Sequence, residues 1–243
     1  MKHYIERIRM ITNFYQWFEN FCISENIPEQ KKNNIEFINF ENYCTFEKKE
    51  SCFPVFEDWW ISKPEIIKSK IVSLFGKSET IFARNCKIVK IDKKQSADFL
   101  NVNHIYGTCN SKLRLALMYK EEPVSIMTFA GTRKLNSGIS GEILRFCNLN
   151  YATVTGGLDK LLKAYLKLTP IDNIMTYIDL DWGDGNSFKK LGFNQTGKKK
   201  DFFFYANIET GERIPEKYFN DFENLNLYRK IKNSGSLKMI YCL

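Results

Sequence analysis

The amino-acid sequence predicts an α/β (α+β) protein, a mixed sheet flanked by helices with a small N-terminal helix–hairpin–helix appendage. From residue 79 onward, short apolar runs typical of strands alternate with amphipathic runs typical of helices. Before that point, apolar residues recur every three or four positions over residues 1–30, and residues 35–60 alternate around the charged turn "EKKE". "KSET" interrupts the pattern, so we place the appendage at residues 1–78 and the main domain at residues 79–243.

The composition is that of a folded chain with a sizeable core. The 243 residues are 44% hydrophobic and 15% aromatic, which argues against long disordered stretches. No apolar run reaches the roughly 18 residues that a membrane span needs. The N-terminus carries charges inside its apolar pattern, which favours an amphipathic helix over a signal peptide. We therefore expect a soluble, cytoplasmic protein with no membrane partner.

The formal net charge of +8 is compatible with a phosphate-rich partner. Abundant lysine, asparagine and isoleucine are also typical of an AT-rich genome, so the charge alone does not decide the partner. Seven scattered cysteines form no CxxC pair, which argues against a zinc site and against a disulfide framework. We expect reduced thiols and no metal.

The segments after residue 79 can be assigned in order. Asp92 is the expected N-cap of the first helix of this region. The predicted strands and helices are the strand "IFARNCKIVKI", the helix "DKKQSADFLNVNH", the hairpin "LRLALMYKEEPVSIMTFAG", the strand "GEILRFCNL", the helix "GGLDKLLKAYLKLT", the strand "NIMTYIDLDW" and the helix "NSFKKLG", followed by "KDFFFYANIETGERI" as a strand that runs into a turn.

Two adjacent glycines, Gly156 and Gly157, precede the clearest helix of the chain. A helix N-terminus has unpaired N–H groups and a partial positive charge, which suits a pyrophosphate, and glycine lets the backbone approach it closely. A glycine turn before an ordinary core helix explains the same residues, so both interpretations stay open at this point.

The order of strand, Gly-Gly helix, strand ending in acidic residues, short helix and "LGF" resembles the GCN5-related N-acetyltransferase (GNAT) family over residues 82–205. The resemblance implies a GNAT-like fold and acetyl-CoA, or a related acyl-CoA, as cofactor. The Arg/Gln-x-x-Gly-x-Gly/Ala loop of that family is not intact, because "YATVTGG" keeps only the later glycines.

The same resemblance assigns cofactor-binding residues. The glycine turn, with Thr155, Gly156 and Gly157, corresponds to the segment that binds the pyrophosphate of coenzyme A. The short helix, with Asn186 and Phe188, corresponds to the one that flanks the pantetheine arm.

A narrower resemblance covers roughly residues 40–243. "NHIYG", "EILRFC", "GGLDKLLKAYL" and "YIDLDWGDGNSFKKLGF" are similar to the C-terminal domain of phage-encoded homing-endonuclease-like proteins and, more loosely, to Mom-type phage DNA-modification proteins. Mom proteins have a GNAT-like fold and convert adenine in DNA to a carbamoylmethyl derivative. The nuclease site of the endonuclease-like relatives is not recognisable here, and we interpret Glu47 and Lys49 in "FEKK" as parts of a charged turn.

Three residues, Asp179, His104 and Tyr177, are candidates for catalysis. Asp179 and Asp181 alternate in "YIDLDW" and should share a face with Tyr177, where a carboxylate could position an amine or act as a base. One carboxylate could instead cap the next helix, and the resemblance favours Asp179. His104 ends a predicted helix, where an imidazole could bind substrate, act as a base or simply contact the last carbonyl groups.

Basic residues next to aromatic residues suggest nucleic acid as a partner. Lysines contact phosphates and aromatic rings can stack on a base, as in "TGKKKDFFFY", although a core strand after a solvated turn explains most of the same residues. The candidate DNA contacts are Arg145, Lys198, Lys199 and Lys200.

These patterns support three hypotheses. The first is a phage or mobile-element transferase that modifies DNA bases in the manner of Mom proteins. The second is a DNA-binding remnant of a homing-endonuclease-like protein without catalytic activity. The third is a conventional N-acetyltransferase that acts on a small amine or a protein. The sequence does not indicate the oligomeric state.

Overall fold

The computed structural model describes residues 2–49, 52–135, 138–199 and 202–243, with side chains from residue 11 onward. None of the helices in these segments combines the length and hydropathy needed to span a bilayer. The helices are α1 (Lys2–Ser24), α2 (Glu29–Lys32), α3 (Glu57–Ser62), α4 (Pro64–Leu74), α5 (Lys93–Asn103), α6 (Gly157–Leu168) and α7 (Asn186–Lys189), with 3-10 helices at Phe40–Asn42, Ala83–Asn85, Glu216–Tyr218 and Leu225–Leu227.

Fifteen strands are present in the described part of the chain. They are β1 (Ile35–Ile38), β2 (Phe53–Phe56), β3 (Glu79–Phe82), β4 (Lys87–Lys90), β5 (Leu113–Tyr119), β6 (Glu122–Phe129), β7 (Arg133–Leu135), β8 (Gly138–Asn148), β9 (Ala152–Thr155), β10 (Asn173–Asp179), β11 (Asn194–Lys199), β12 (Phe203–Asn207), β13 (Arg213–Pro215), β14 (Tyr228–Lys232) and β15 (Ser236–Cys242).

The chain divides into two compact units. The N-terminal unit comprises Met1–Ile67, Leu180–Trp182 and Lys200–Gly235. The sheet unit comprises Lys68–Asp179, Gly183–Lys199 and Ser236–Leu243. The division describes spatial compactness and not independent folding, so the domain boundary between residues 78 and 79 stays a prediction.

The sheet unit contains an eight-stranded mixed sheet with the order β11-β15-β10-β8-β6-β5-β4, and β7 pairs with β8. Only β8 and β10 run parallel, and all the other neighbouring strands of this sheet are antiparallel. Helices pack on it, with α5 against β6 and β8 and α6 against β5 and β6. The predicted fold class is therefore confirmed. The sequence patterns did not reveal β15, which inserts between β10 and β11.

Two details of the predicted element order need correction. The stretch expected as one strand, "IFARNCKIVKI", is divided by a 3-10 helix into β3 and β4. The residues before Gly156, expected as a turn, form β9, which pairs in parallel with β3. The hydrophobic pattern was ambiguous here because both strands have only four residues.

The expected helix starting at Asp92 is confirmed. The Asp92 carboxylate accepts a hydrogen bond from Gln95 N at 2.8 Å, and Gln95 Oε1 accepts one from Asp92 N at 3.0 Å. This reciprocal capping box satisfies two backbone donors at the start of α5. The cap therefore fixes where α5 begins, and with it the position of the loop that follows α5.

A bulge in β8 reverses the alternation of its side chains. Ile143 pairs with Phe129 and Arg145 with Thr128, so Leu144 is an extra residue in the strand. Before the bulge, Gly141 lies against the ring of Tyr165 on α6. After it, Arg145 contacts the loop that follows α5.

The parallel pairing of β8 with β10 ends at the same place. Residues 140–143 of β8 pair with residues 173–176 of β10, and Thr176 Oγ1 donates to Ile143 O at 3.2 Å. Beyond that point, residues 145–148 of β8 pair with β6, and residues 177–179 of β10 pair with β15. Since no ladder joins the two strands past Thr176 in this fully described region, they enclose an open wedge in the sheet.

The hairpin predicted for the N-terminal appendage is wrong. Strands β1 and β2 pair in parallel, with Ile35 opposite Phe53 and Ile38 opposite Phe56. Parallel strands cannot be joined by a tight turn, so the chain between them has to cross over. The predicted turn "EKKE" ends at Glu50, which lies outside the described residues.

A buried charge network holds the N-terminal unit. Asp58, at the start of α3, is fully buried and forms an ion pair with Arg213 on β13, whose Nη2 lies 3.0 Å from Asp58 Oδ1. The hydroxyl of Tyr43 donates to the same carboxylate, and the guanidinium group lies 4.7 Å and 4.1 Å from the ring centroids of Phe56 and Trp59. Burial, followed by the charge of Asp58, raises the pKa of Tyr43 well above its ordinary value.

We expect Asp58→Ala to lower the free energy of unfolding by about 3–5 kcal/mol, because Arg213 would remain buried without its partner. Urea denaturation followed by tryptophan fluorescence measures this change. The matched control is Glu216→Ala, which removes an exposed partner of Lys230 in the same unit and should change stability little. Equal effects of the two substitutions would contradict the role given to the buried pair.

We also expect Gly141→Ala to destabilise the sheet unit by about 1–3 kcal/mol, since overpacking a filled site forces strain. A Cβ at this position would lie 2.7 Å from the hydroxyl oxygen of Tyr165, whose ring is buried and stacked on Phe129. The control is Gly183→Ala, where a Cβ meets only Ile178 Cγ2 at 3.9 Å. An unchanged melting temperature for Gly141→Ala would show that α6 does not pack tightly on β8.

Candidate active site

The wedge between β8 and β10 is lined by residues from three separate segments. Asp179, the last residue of β10, accepts a hydrogen bond from the hydroxyl of Tyr106 in the loop after α5. Arg145, just past the bulge of β8, donates from Nε to Gly107 O at 3.3 Å, and its guanidinium carbon lies 5.9 Å from the ring centroid of Tyr106. The loop after α5 thus contacts both strands of the wedge.

His104 is the C-cap residue of α5, and its N–H donates to Leu100 O. Its Nδ1 accepts a hydrogen bond from the backbone N–H of Tyr106 at 3.1 Å. A neutral imidazole that accepts at Nδ1 carries its proton on Nε2. His104 therefore shapes the loop that presents Tyr106, and its predicted catalytic role stays a prediction.

Tyr177 lies on the same face of β10 as Asp179, two residues away, as predicted. Directly opposite Tyr177 on β15 is Lys238, and Lys199 on β11 places its ammonium group 4.5 Å from the centroid of the Tyr177 ring. Two lysines thus lie beside Tyr177. Lys198 is exposed on β11, and Lys200, the fourth candidate DNA contact, lies outside the described residues.

Asp181 does not share the face of Asp179, which corrects the prediction that both carboxylates alternate on one strand. Strand β10 ends at Asp179, and Asp181 lies in the turn that follows. Its side chain is fully buried in the N-terminal unit, where it accepts from Ser234 N at 3.3 Å. A carboxylate with this environment caps backbone rather than meeting a substrate.

A second depression lies along one side of α6, from Gly156 at its N-terminus to Lys167 in its last turn. Phe82 and Thr155, the last residues of the parallel strands β3 and β9, stand opposite each other there. The pocket has a volume of about 540 Å³. Gly156 lines it with a left-handed backbone, φ 78°, that favours glycine at this position. Two of the three residues predicted to bind pyrophosphate, Thr155 and Gly156, therefore line one cationic pocket.

The charges of this pocket are predominantly positive. Its ionisable lining residues are Arg84, Asp159, Lys160, Lys163 and Lys167. The ammonium group of Lys160 donates to two backbone carbonyl groups of the 3-10 helix region, at 2.9 Å and 2.6 Å. The free N–H groups at the start of α6 add to this positive potential, so the pocket suits an anionic ligand.

The remaining predicted cofactor residues lie elsewhere. Gly157 is buried as the first residue of α6, where a Cβ would lie 3.1 Å from Val154 Cγ1. Phe188 on α7 is buried against Phe193, with ring centroids 5.2 Å apart. Asn186 donates to the carboxylate of Asp184. Neither Asn186 nor Phe188 lines the pocket, and their predicted contacts with a pantetheine arm stay predictions.

Cys147 is a poor candidate nucleophile, and the described residues contain no group of candidate metal ligands. Cys147 lies on β8 after the bulge, where it packs against a core cluster that includes Phe99 and Leu100. This burial raises the pKa of the Cys147 thiol, so it stays protonated at neutral pH and is a poor nucleophile. In the described segments, no three His, Cys, Asp or Glu side chains are grouped so that they could hold a metal ion.

Several residues of these two sites were not predicted from the sequence. Tyr106 belongs to the quoted "NHIYG" segment, but nothing in its neighbours indicates that it reaches a residue 73 positions away. Lys160, Lys163 and Lys167 recur at helical spacing opposite the leucines of α6, and this signal was visible in the sequence. Arg84 could not be predicted as a pocket residue, because the sequence pattern places it inside a single strand. In the structure it lies in the 3-10 helix that separates β3 from β4.

No protein-family model matches the sequence, and no curated protein is significantly similar to it. Solved structures similar to the chain include N-acetyltransferases. The ribosomal-protein-S18-alanine N-acetyltransferase from Escherichia coli is 9% identical, with a TM-score of 0.41, and the match covers 65% of this chain and 93% of that one. Arabidopsis thaliana Naa50, solved with a bisubstrate CoA analogue, is 12% identical, with a TM-score of 0.44 and coverages of 65% and 99%.

A GNAT family acetyltransferase from Elizabethkingia anophelis with acetyl-CoA bound is 14% identical, with a TM-score of 0.41, over 65% of this chain and 99% of that one. TM-scores at this level carry no conclusion about ligand or reaction. Both have to be inferred from the residues of the wedge and of the pocket.

Proposed function

We propose that this protein is an acyl-CoA-dependent N-acyltransferase whose active site is the wedge between β8 and β10. The proposal rests on the end of the parallel pairing between β8 and β10 at Thr176, beyond which Asp179 lies at the open end of the wedge. The cationic pocket beside α6, which includes Gly156, would take the anionic part of the ligand. Strand β9, which leads into that pocket, lies against β8. An elongated ligand with an anionic end and a reactive end matches this arrangement.

The residues fit the anionic part of acyl-CoA. The backbone N–H groups of Gly156 and Gly157 at the start of α6 would hold the diphosphate. The open strand edges past the bulge present backbone groups to an extended amide-containing arm. When bound, acyl-CoA supplies an acyl group activated as a thioester. The predicted cofactor, acetyl-CoA or a related acyl-CoA, is therefore retained in the proposal.

Asp179 is the group best placed to act on the acceptor. Its carboxylate would orient an amine and take up the proton that the nitrogen loses as the new amide bond forms, while the thioester C–S bond breaks and the coenzyme leaves as a thiolate that takes up a proton from solvent. Tyr106 fixes this carboxylate through its hydroxyl, and Arg145 supports Tyr106 from the opposite strand. Tyr177 lies two residues before Asp179 on the same face of β10. Because these residues come from three segments, the site requires the folded sheet unit.

The acceptor that these charges favour is an exocyclic amine of a DNA base. Positively charged side chains contact the neighbours of Asp179, since Arg145 lies over the ring of Tyr106, Lys199 lies over the ring of Tyr177, and Lys238 pairs opposite Tyr177. Such charges suit phosphates. A base amine is hard to reach inside a stack, so the base would have to leave the duplex. The resemblance to Mom-type phage proteins supports the same acceptor. A small amine or a protein N-terminus is the alternative, and DNA binding without catalysis is a further one.

The cofactor proposal is tested by titrating the protein with acetyl-CoA in a thermal shift assay. We expect the melting temperature to rise with ligand concentration, because a ligand that binds only the folded state stabilises it. Asp179→Asn should keep this shift and lower acetyl transfer from labelled acetyl-CoA to acceptor by about 100-fold, in the range of general-base contributions. Asp98→Asn, which alters an exposed carboxylate of α5, is the control. Absence of any shift with wild type would contradict the proposal.

The acceptor proposal is tested by mass spectrometry of nucleosides from DNA of cells that express the protein. We expect a modified adenine or cytosine with wild type and none with Asp179→Ala. Unmodified DNA in both samples would contradict DNA as the acceptor. If the purified protein then acetylates a peptide or polyamine, the acceptor is a conventional amine. DNA binding without any acetyl-CoA binding would instead favour the non-catalytic alternative.

A further inference from the structure

The pocket beside α6 has more positive charge than is needed to bind a diphosphate that already accepts hydrogen bonds from backbone N–H groups. Four cations and one carboxylate line it, and three of the cations lie along one side of α6. We infer that the pocket binds the adenosine end of the coenzyme and recognises its 3′-phosphate. The inference rests on the proposed function, since it names the part of acyl-CoA that this pocket would take.

The four cations are not equivalent. Lys160 is held by the carbonyl oxygens of Ala83 and Cys86, so it closes the pocket between α6 and the 3-10 helix and is not available to a ligand. Lys163 and Lys167 follow one and two turns later on the same side of the helix, and both residues are exposed. These two lysines are therefore the groups that can turn onto a phosphate.

The single carboxylate does not cancel this charge. Asp159 pairs with Lys163 at 2.8 Å, four residues apart on an exposed helix surface, and the Lys163 side chain is 68% exposed. Exposed pairs of this kind are weak because water and salt screen them. A dianionic phosphate ester can therefore displace the Asp159 carboxylate from Lys163, while Lys167 contributes a second contact.

The apolar wall of the pocket suits a nucleoside. Phe82 and Ile88 remain 43% and 40% exposed, although they are large hydrophobic residues in short strands. The Arg84 guanidinium group lies 4.9 Å from the centroid of the Phe82 ring, so a planar cation and an aromatic ring form one surface. Flat bases stack on both kinds of group. A purine with a nearby phosphate matches both the wall and the lysines.

Recognition of the 3′-phosphate predicts a difference in affinity between two ligands that cofactor binding alone does not predict. If Lys163 and Lys167 contact the 3′-phosphate, the protein binds acetyl-CoA more tightly than 3′-dephospho-acetyl-CoA, which differs only in that phosphate. We expect a preference of about tenfold, because charge-assisted contacts are stronger than neutral ones but are screened at an exposed site. The preference should fall as ionic strength rises.

Isothermal titration calorimetry with the two ligands tests this, using the full chain at fixed ionic strength. Wild type should show the tenfold preference. The double substitution Lys163→Gln and Lys167→Gln should remove it by weakening acetyl-CoA binding while leaving the affinity for 3′-dephospho-acetyl-CoA within about twofold. The double substitution Lys93→Gln and Lys94→Gln removes two exposed lysines of α5, so it controls for the change in net charge and should keep the preference.

The outcomes separate the inference from the proposed function. Equal affinities of wild type for the two ligands would overturn the 3′-phosphate site and leave the acyltransferase proposal intact. A preference that survives the double substitution would likewise overturn it, since the phosphate would then be recognised elsewhere. Failure of wild type to bind either ligand would overturn both. Competition by adenosine 3′,5′-bisphosphate, lost in the double variant, would support the inference independently of the wedge.

Discussion

One extra residue in β8 determines how the candidate site is built. Because Leu144 is not paired across to β6, the side chains of β8 change faces there. Gly141 faces α6 and lets it approach closely, whereas Arg145 faces the loop after α5. Bulges bend the bulged strand and increase its twist. The parallel pairing with β10 ends at Ile143, next to this bulge, so the bulge and the wedge belong to the same local distortion.

The loop after α5 depends on that distortion. Tyr106 contacts Asp179 on β10, and Arg145 contacts Tyr106 and Gly107 from β8. Without the bulge, Arg145 would point to the face covered by α6 and the loop would lose its support from β8. The capping box at Asp92 and the C-cap at His104 fix the two ends of α5, so the loop starts from a defined position. The geometry around Asp179 is therefore set by elements far apart in the sequence.

The sequence was sufficient for much of the fold, because the signals involved are local. The cap at Asp92, the leucine face of α6 and the hairpin of β5 and β6 each depend on residues within a short window. It was insufficient where pairing is non-local. Strand β15 joins β10 and β11 from the C-terminus, and β1 pairs with β2 in parallel although an alternating run around a charged turn is typical of a hairpin.

The residues of the candidate site also divide into those that local sequence motifs predict and those that depend on contacts between distant segments. Asp179, Tyr177 and the glycines before α6 follow recognisable motifs, and the structure brings Asp179 to the open end of the wedge. The position of Asp181 could not be predicted from the sequence. The burial of its side chain in the N-terminal unit depends on a contact with residue 234, which is distant in the chain. Tyr106 was missed because its partner is distant in the chain, whereas the lysines of α6 were missed although their spacing was visible.

Hydrogen–deuterium exchange with and without acetyl-CoA measures most directly whether the wedge holds the coenzyme. We expect slower exchange at residues 144–148 of β8, at residues 156–159 at the start of α6 and at residues 177–179 of β10, because a bound arm would cover backbone N–H groups at these positions. Protection that is confined to other parts of the chain, or no protection at saturating acetyl-CoA, would contradict the assignment of the wedge as a coenzyme site.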